Sequence, residues 1–535
     1  MALPRAVLSL AVVAALSSTA PEPSAQTGCE GLARVALPGV TIQEAEAVTA
    51  GSFNPPAEKP VPDLPAFCRV AGTIRPTPDS DIRFEVWMPT SGWTGRFQGV
   101  GNGGFAGTIT YAQMAVALKA GDATASTDTG HQSRIATDAA WALGHPEKLI
   151  DFGYRAIHET TAAAKAIVAR FYGKAPHRSY FNGCSNGGRQ ALMEAQRYPD
   201  DYDGIVAGAP ANYWTHLLAN GAWDLKLLLD QEAYISAEKL PAIQAAALAG
   251  CDAADGAKDG TIENPARCRT NPSVLLCRGS ESAACLTERQ ADVLRKIYAG
   301  SRLADGQSFF HGYPPGGEAE PGGWAAWITG KAEARESAFY AFATQYFGNV
   351  IFGDPKWDPR TFDLDRDSKL ADEKTAHVLN AVDPDLGRFQ ARGGKLVLYH
   401  GWSDAAIPAT NTIAYYESVV AKMSTKQAER FVRLFLVPGM QHCTGGSGAT
   451  WIGQSGPGSG NPNGDIITAI ERWVEQGVPP DGLVAVRRRV AADPASEVLR
   501  SRPLCPYPLV AKYKGAGSTN EAANFACAAD AAASR

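Results

Sequence analysis

Gly183, Cys184, Ser185, Asn186 and Gly187 stand in the spacing G-x-S-x-G. That spacing belongs to a sharp turn from strand to helix, which thrusts a serine hydroxyl out of a sheet with a helix N-terminus behind it. Glycine on either side permits the turn, because a Cβ there would meet the neighbouring backbone. A hydroxyl so placed attacks an acyl carbon once a base takes its proton. Cys184 stands beside that serine, and His442-Cys443 repeats the pairing of a reactive side chain with a cysteine far downstream. A disulfide between Cys184 and Cys443 would set Ser185 and His442 next to each other.

The elements that must position these residues can be read around them. His177–Gly183 reads as a short strand, and Gly188–Tyr198 as a helix stopped by Pro199. Lys395–Tyr399 reads as a strand followed by a loop that holds Asp404, and Phe431–Val437 as a strand followed by a loop that holds His442. The order serine, aspartate, histidine is that of α/β-hydrolases, whereas chymotrypsin-like and subtilisin-like enzymes use other orders. In that arrangement His442 takes the proton of Ser185, and Asp404 holds the imidazole in the right tautomer. Asp128 and His131 also follow a strand but precede the elbow, which breaks the order. His400, four residues before Asp404, is better placed to line the pocket than to serve as base. A tetrahedral intermediate needs two N–H donors. The backbone of Asn186 is one candidate, and Gly103 in Gly101-Asn102-Gly103-Gly104-Phe105 is the other, with Gly104 as its alternative.

Further strands are expected at Phe84–Met88, Arg96–Val100, Ala123–Thr127, Ser179–Asn182 and Gly204–Ala209, with helical stretches between them, the pattern of an α/β sheet. Asp465–Gln476 puts Ile466, Ile467, Ile470, Trp473 and Val474 on one face of a helix that ends at Gly477. Between Pro210 and Lys395 the pattern lapses for roughly 180 residues, too long for a loop that does not fold separately. This predicts an α/β-hydrolase fold in which a catalytic domain, residues 27–212 and 389–535, carries an inserted lid, residues 213–388.

The chain has 535 residues, 45% hydrophobic and 20% charged, with a net charge of -5. Its basic residues are scattered, which gives no support to a nucleic-acid partner. Arg5, the apolar run 6–16 and the small residues of 17–25 read as a secretory signal over residues 1–26, and no other stretch is long and apolar enough to span a membrane. Ten cysteines follow, which points to an oxidising compartment, secreted or periplasmic. Pairing nearest neighbours joins Cys29 to Cys68, Cys251 to Cys268, Cys277 to Cys285 and Cys505 to Cys527; Cys184 and Cys443 are left over, although spacing alone does not fix connectivity. Within the lid, Asp252, Asp255 and Asp259, with Gly256 and Gly260 to let the chain wrap, suit a hard cation, and the carbonyls of Ala257 and Thr261 would complete its shell. The aspartates are not in EF-hand register. Neither histidine nor free thiol is near, so calcium is expected rather than a transition metal.

Gly183–Gly188, His400-Gly401-Trp402-Ser403-Asp404, His442-Cys443, the aspartate loop and the five cysteine pairs resemble the tannase and feruloyl esterase family, which includes the hydrolase of mono(2-hydroxyethyl) terephthalate. The resemblance covers nearly the whole mature chain. It implies an α/β-hydrolase core, a large lid, a disulfide from Cys184 to Cys443, a triad of Ser185, Asp404 and His442, and a structural calcium at Asp252, Asp255, Ala257, Asp259 and Thr261. The implied activity is that of a secreted serine carboxylesterase acting on small esters of hydroxycinnamic or gallic acids through an acyl-enzyme. A terephthalate monoester hydrolase is the alternative. In that enzyme an aromatic residue follows the catalytic aspartate by three positions, where this chain has Ile407, a candidate substrate contact together with His400. A catalytically silent extracellular binding protein is the reading from another class; such proteins typically lose a triad member, and all three are present.

Overall fold

The computed structural model describes residues 1, 27–56, 59–456, 463–491, 493 and 495–530. Apart from Met1, the expected signal segment lies outside the described residues. The strands of the main sheet, in chain order, are β1 (Val40–Val48), β2 (Phe67–Ile74), β3 (Ile82–Pro89), β4 (Arg96–Val100), β5 (Ala123–Thr127), β6 (Arg178–Cys184), β7 (Gly204–Gly208), β8 (Lys395–Gly401) and β9 (Val432–Val437). Five helices matter most to the site: α1 (Ala156–Tyr172), α2 (Asn186–Arg197), α3 (Trp214–Leu228), α4 (Ala409–Met423) and α5 (Ile466–Gln476).

Side-chain alternation along the strands feeds two cores. Phe181, Ile205, Leu396 and Leu398 join one buried cluster with residues of α1, α2 and α4, while Tyr180, Val206, Val397 and Tyr399 join another with Ile466, Ile470 and Trp473 of α5. Both faces of the sheet are therefore covered, as a parallel sheet requires. Asp465 caps α5 by accepting from the N–H groups of Ile467 and Thr468, and Gly477 ends it at φ 70°.

The strand order is β1-β2-β3-β5-β4-β6-β7-β8-β9. Pairing is antiparallel from β1 to β5 and parallel from β5 through β9. The loops after β4, β6, β8 and β9 consequently open at one edge, where ligands bind in open α/β sheets. Between β7 and β8 the chain is helical, with an aromatic-rich core that includes Leu225, Leu294, Tyr346 and Phe347 and extends to Phe105 and Ala405–Ile407 beside the site.

Two differences from the sequence-based expectation have physical causes. β1 and β2 were not expected, because charges interrupt their apolar pattern: Arg69, buried in mid-strand, donates to Glu85 and also pairs with Glu44 and Glu46 of the edge strand. β6 runs one residue past the expected end at Gly183, to Cys184, and β8 two past Tyr399, to Gly401, because the parallel ladder continues through Cys184 opposite Gly208 and Gly401 opposite Val437. The C-terminal segment adds two short ribbons, β10 (Leu483–Arg488) with β11 (Val498–Leu504) and β12 (Leu509–Tyr513) with β13 (Phe525–Ala529). Disulfides join Cys29 to Cys68, Cys184 to Cys443, Cys251 to Cys268, Cys277 to Cys285 and Cys505 to Cys527. Among the described residues no helix is long and apolar enough to cross a membrane.

Candidate active site

β6 ends at Cys184 and α2 begins at Asn186, so Ser185 alone makes the turn, at φ 64° and ψ -124°. A non-glycine residue holds such a conformation at a cost of about 1–3 kcal/mol only when its surroundings over-determine it. Here they do: the Ser185 N–H donates to Gly208 O at 3.0 Å, and its carbonyl accepts from Arg189 and Ala211. Gly183 admits the turn, since a Cβ there would lie 2.5 Å from the carbonyl oxygen of Gly187.

The loop after β8 carries Asp404, fully buried among four hydrogen-bond donors. Oδ1 accepts from the N–H groups of Ala406 (2.8 Å) and Ile407 (2.9 Å). Oδ2 lies 2.8 Å from Nδ1 of His442 and 3.1 Å from Nε2 of His400. An ionised carboxylate only accepts, so both imidazoles donate to it, and the His442 tautomer is fixed with Nε2 free to act as base. Burial alone would push the Asp404 carboxyl up, but the imidazoles of His442 and His400 hold it well below the usual carboxylate range. The disulfide from Cys184 to Cys443 joins the residues adjoining Ser185 and His442, and both of these line one cavity.

Two features hold the loop after β4 against the start of α2. A Cβ on Gly101 would sit 2.7 Å from Cα of Gly187, so only glycine allows this approach. Gln190 then clamps Asn102 from both sides: its Oε1 accepts from the Asn102 N–H at 3.0 Å and its Nε2 donates to Asn102 Oδ1 at 3.1 Å. Gly103 and Asn186, the expected oxyanion donors, both border the cavity with Ser185. Open space faces the Cα of Gly103, whereas a Cβ on Gly104 would strike the carbonyl of Ala136 at 2.2 Å, which leaves Gly103 the freer of the two.

The cavity encloses about 630 Å³ and is walled by Trp214, Leu217, Leu218, Trp327, Phe339 and Phe342, all from the segment between β7 and β8. Trp327 meets the His442 ring edge to face, centroids 5.1 Å apart, and stacks near-parallel to Phe342 at 6.0 Å. A pocket so built takes a flat apolar group beside a serine, a histidine and a buried carboxylate.

Comparison with known proteins gives this geometry its context. The family model described as "Tannase and feruloyl esterase" matches residues 68–528. The chain belongs to the tannase and feruloyl esterase family. It is 43% identical to an uncharacterized esterase of Xanthomonas campestris pv. campestris, over 97% of this chain and 94% of that one. It is 34% identical to a mono(2-hydroxyethyl) terephthalate hydrolase of Piscinibacter sakaiensis, over 89% of this chain and 87% of that one. The crystal structure of feruloyl esterase B from Aspergillus oryzae superposes with a TM-score of 0.86 at 31% identity, covering 94% of this chain and 99% of that one. This member of the tannase and feruloyl esterase family is therefore a carboxylic ester hydrolase.

In this esterase His400 does not reach the cavity, contrary to its expected role as a substrate contact. It shares strand parity with Leu396 and Leu398, which turns it toward α4, where Nδ1 meets Thr412 Oγ1 at 2.8 Å. It braces Asp404 and the Ile407 carbonyl instead. Ile407 does border the cavity. The competing pair lies elsewhere: Asp128 accepts from the N–H of Arg83 on β3 and of Gly130 in its own turn, and His131 stacks on Trp141 at 3.8 Å. Sequence reasoning missed Gln190 and Arg189. The buried Arg189 donates to Asn186 Oδ1 and to the carbonyls of Phe152 and Gly153, and lies over the rings of Phe152 and Trp214. Asn186, Arg189 and Gln190 fall at i, i+3 and i+4, a polar helix face that was the available signal.

The aspartate loop of the esterase packs away from the cavity, against the C-terminal ribbon, where Ala257 meets Ala511 and Phe525. Asp252 accepts from the N–H groups of Asp259, Gly260 and Thr261, Asp255 from that of Ala257, and Asp259 pairs with Arg502. Three metal-ligating side chains with ligand atoms within 4.8 Å of one another occur once among the described residues, and not in this loop. Burial, with Asp259 nearby, pushes the Asp255 carboxyl up, and burial pushes Glu263 beside it to about 8. The three carboxylates and the carbonyls of Ala257 and Thr261 are oxygen donors, the ligand type a hard cation takes.

Proposed function

We propose that this protein is a serine carboxylesterase that hydrolyses small esters of aromatic acids, of hydroxycinnamic or gallic type, through an acyl-enzyme. The observation that carries the reading is the 2.8 Å contact between His442 Nδ1 and Asp404, which leaves Nε2 free as a base in the cavity that His442 and Ser185 both line. The Ser185 oxygen bonds to the ester carbonyl carbon as its proton passes to Nε2 of His442. The N–H groups of Asn186 and Gly103 meet the resulting oxyanion. Collapse breaks the bond to the alcohol oxygen, which leaves with the proton from His442. Water then loses a proton to His442, adds to the acyl carbon and releases the free acid, restoring Ser185. Asp404 stays charged throughout. The rings of Trp214, Trp327, Phe339 and Phe342 offer faces and edges to the aromatic acyl group.

Ser185→Ala tests this reading: kcat/KM for methyl ferulate and methyl gallate should fall by at least about 10⁴-fold with the fold intact, and undiminished turnover sinks it.

A second reading, hydrolysis of a terephthalate monoester, is favoured by Arg134. It borders the cavity, is exposed, and forms no ion pair among the described residues, so a second carboxylate on the substrate would find a partner there. Higher kcat/KM for mono(2-hydroxyethyl) terephthalate than for its methyl ester, abolished by Arg134→Gln, would select this reading.

The five disulfides support an oxidising compartment, secreted or periplasmic. A calcium ion held by Asp252, Asp255 and Asp259 with the carbonyls of Ala257 and Thr261 would stabilise the lid loop against the C-terminal ribbon. Exhaustive chelation should then lower Tm, with recovery on adding calcium; an unchanged Tm counts against the site.

A further inference from the structure

The far end of α2 carries a second cluster, remote from the cavity. Glu194 is nearly two and a half turns along the helix from Ser185, about 13 Å at the helical rise. His158 of α1, Glu194 of α2 and Asp201 in the turn before β7 each offer a ligand atom, all within 4.8 Å of one another. Glu194 is 1% exposed, and neither of its carboxylate oxygens has a hydrogen-bond partner. A buried carboxylate with no hydrogen-bond partner, beside a second carboxylate and an imidazole, presents free oxygen ligands to a cation.

We propose that His158, Glu194 and Asp201 form a binding site for a first-row divalent cation, with zinc the best match. One imidazole and two carboxylates are zinc ligands, and a tetrahedral shell with water in the fourth position would hold their atoms about 3.4 Å apart, within reach of small side-chain movements. His158 is pre-oriented: its ring stacks on Tyr198 at 3.8 Å and its Nδ1 points at Asp201 Oδ2, 2.6 Å away. The site opens to solvent on the side of His158, which is 32% exposed, and Glu194 forms its floor. Lys165 is the nearest cation, but its ammonium bonds to the Asp201 carbonyl and lies over the Tyr202 ring, which leaves the carboxylate oxygens of Glu194 to the cluster. A bound cation would cross-link α1, α2 and the turn entering β7, bracing the helix that carries Ser185 from its opposite end.

The test is calorimetric titration of zinc chloride into the full-length, calcium-loaded protein, with His158→Ala and Glu194→Gln in parallel. The wild type should take up one equivalent with a matching rise in Tm, and both variants should bind it at least about tenfold more weakly. No uptake by the wild type, or the same uptake and Tm rise in His158→Ala, overturns the site and leaves a proton shared between Glu194 and Asp201. His158 is partly exposed, so its variant tests the site even if Glu194→Gln does not fold.

Discussion

At the parallel edge of the sheet, the candidate catalytic groups are held by hydrogen bonds and a covalent cross-link: four donors on Asp404, the Gln190 clamp on Asn102, and the disulfide that joins the neighbours of Ser185 and His442. Across the cavity, Trp327 and Phe342 pack through ring contacts and the surrounding apolar cluster. Directional bonds fix positions to fractions of an ångström, and packed rings tolerate replacement of similar volume. On the proposed function, reaction chemistry belongs to the sheet edge and substrate choice to the rings across the cavity, so substitutions on the two sides should affect different kinetic constants.

The sharpest break comes at Asp404. In Asp404→Asn the amide cannot accept from both imidazoles and the two backbone N–H groups at once, so His442 loses its tautomer. kcat should fall roughly 10⁴-fold with little change in KM or in the circular dichroism spectrum. A change confined to KM would contradict the division between the two sides. A smaller effect is expected at Phe342→Ala, which removes a lid ring. KM for methyl ferulate should rise roughly tenfold with kcat less affected, and preference over a short alkyl ester should shrink. A larger loss in kcat than in KM would place the lid in the chemistry. A third prediction concerns stability alone. Burial pushes the Asp128 carboxyl up to about 8, so the folded protein keeps a proton that the unfolded chain releases near pH 4. Stability from this group is whole below that pH, erodes by up to about 1.4 kcal/mol per unit as pH rises, and levels off above 8. In Asp128→Asn, Tm measured from pH 5 to 8 should vary less, with kcat/KM unaltered.

Much of the sheet edge was legible in the sequence because each reactive residue follows a strand and the chain order restricts the pairing. Ser185, Asp404 and His442 could be named before any coordinates. His400 was misplaced because its nearness to Asp404 was weighed, while its parity with Leu396 and Leu398, which turns it from the cavity, was not. β1 and β2 escaped because Arg69 and its glutamate partners look like solvent-facing charges until the strands pair and bury the guanidinium. The lid wall was illegible for another reason: Trp214, Trp327 and Phe342 reach the cavity from separate helices, and their convergence is a property of packing that no local spacing encodes.

The central claim is that Ser185 attacks the ester with His442 as its base. Reaction with a fluorophosphonate followed by intact mass and peptide mapping tests it directly. One adduct per chain is expected, on Ser185, lost in His442→Ala. An adduct on another residue, or none while methyl ferulate is still hydrolysed, would contradict it.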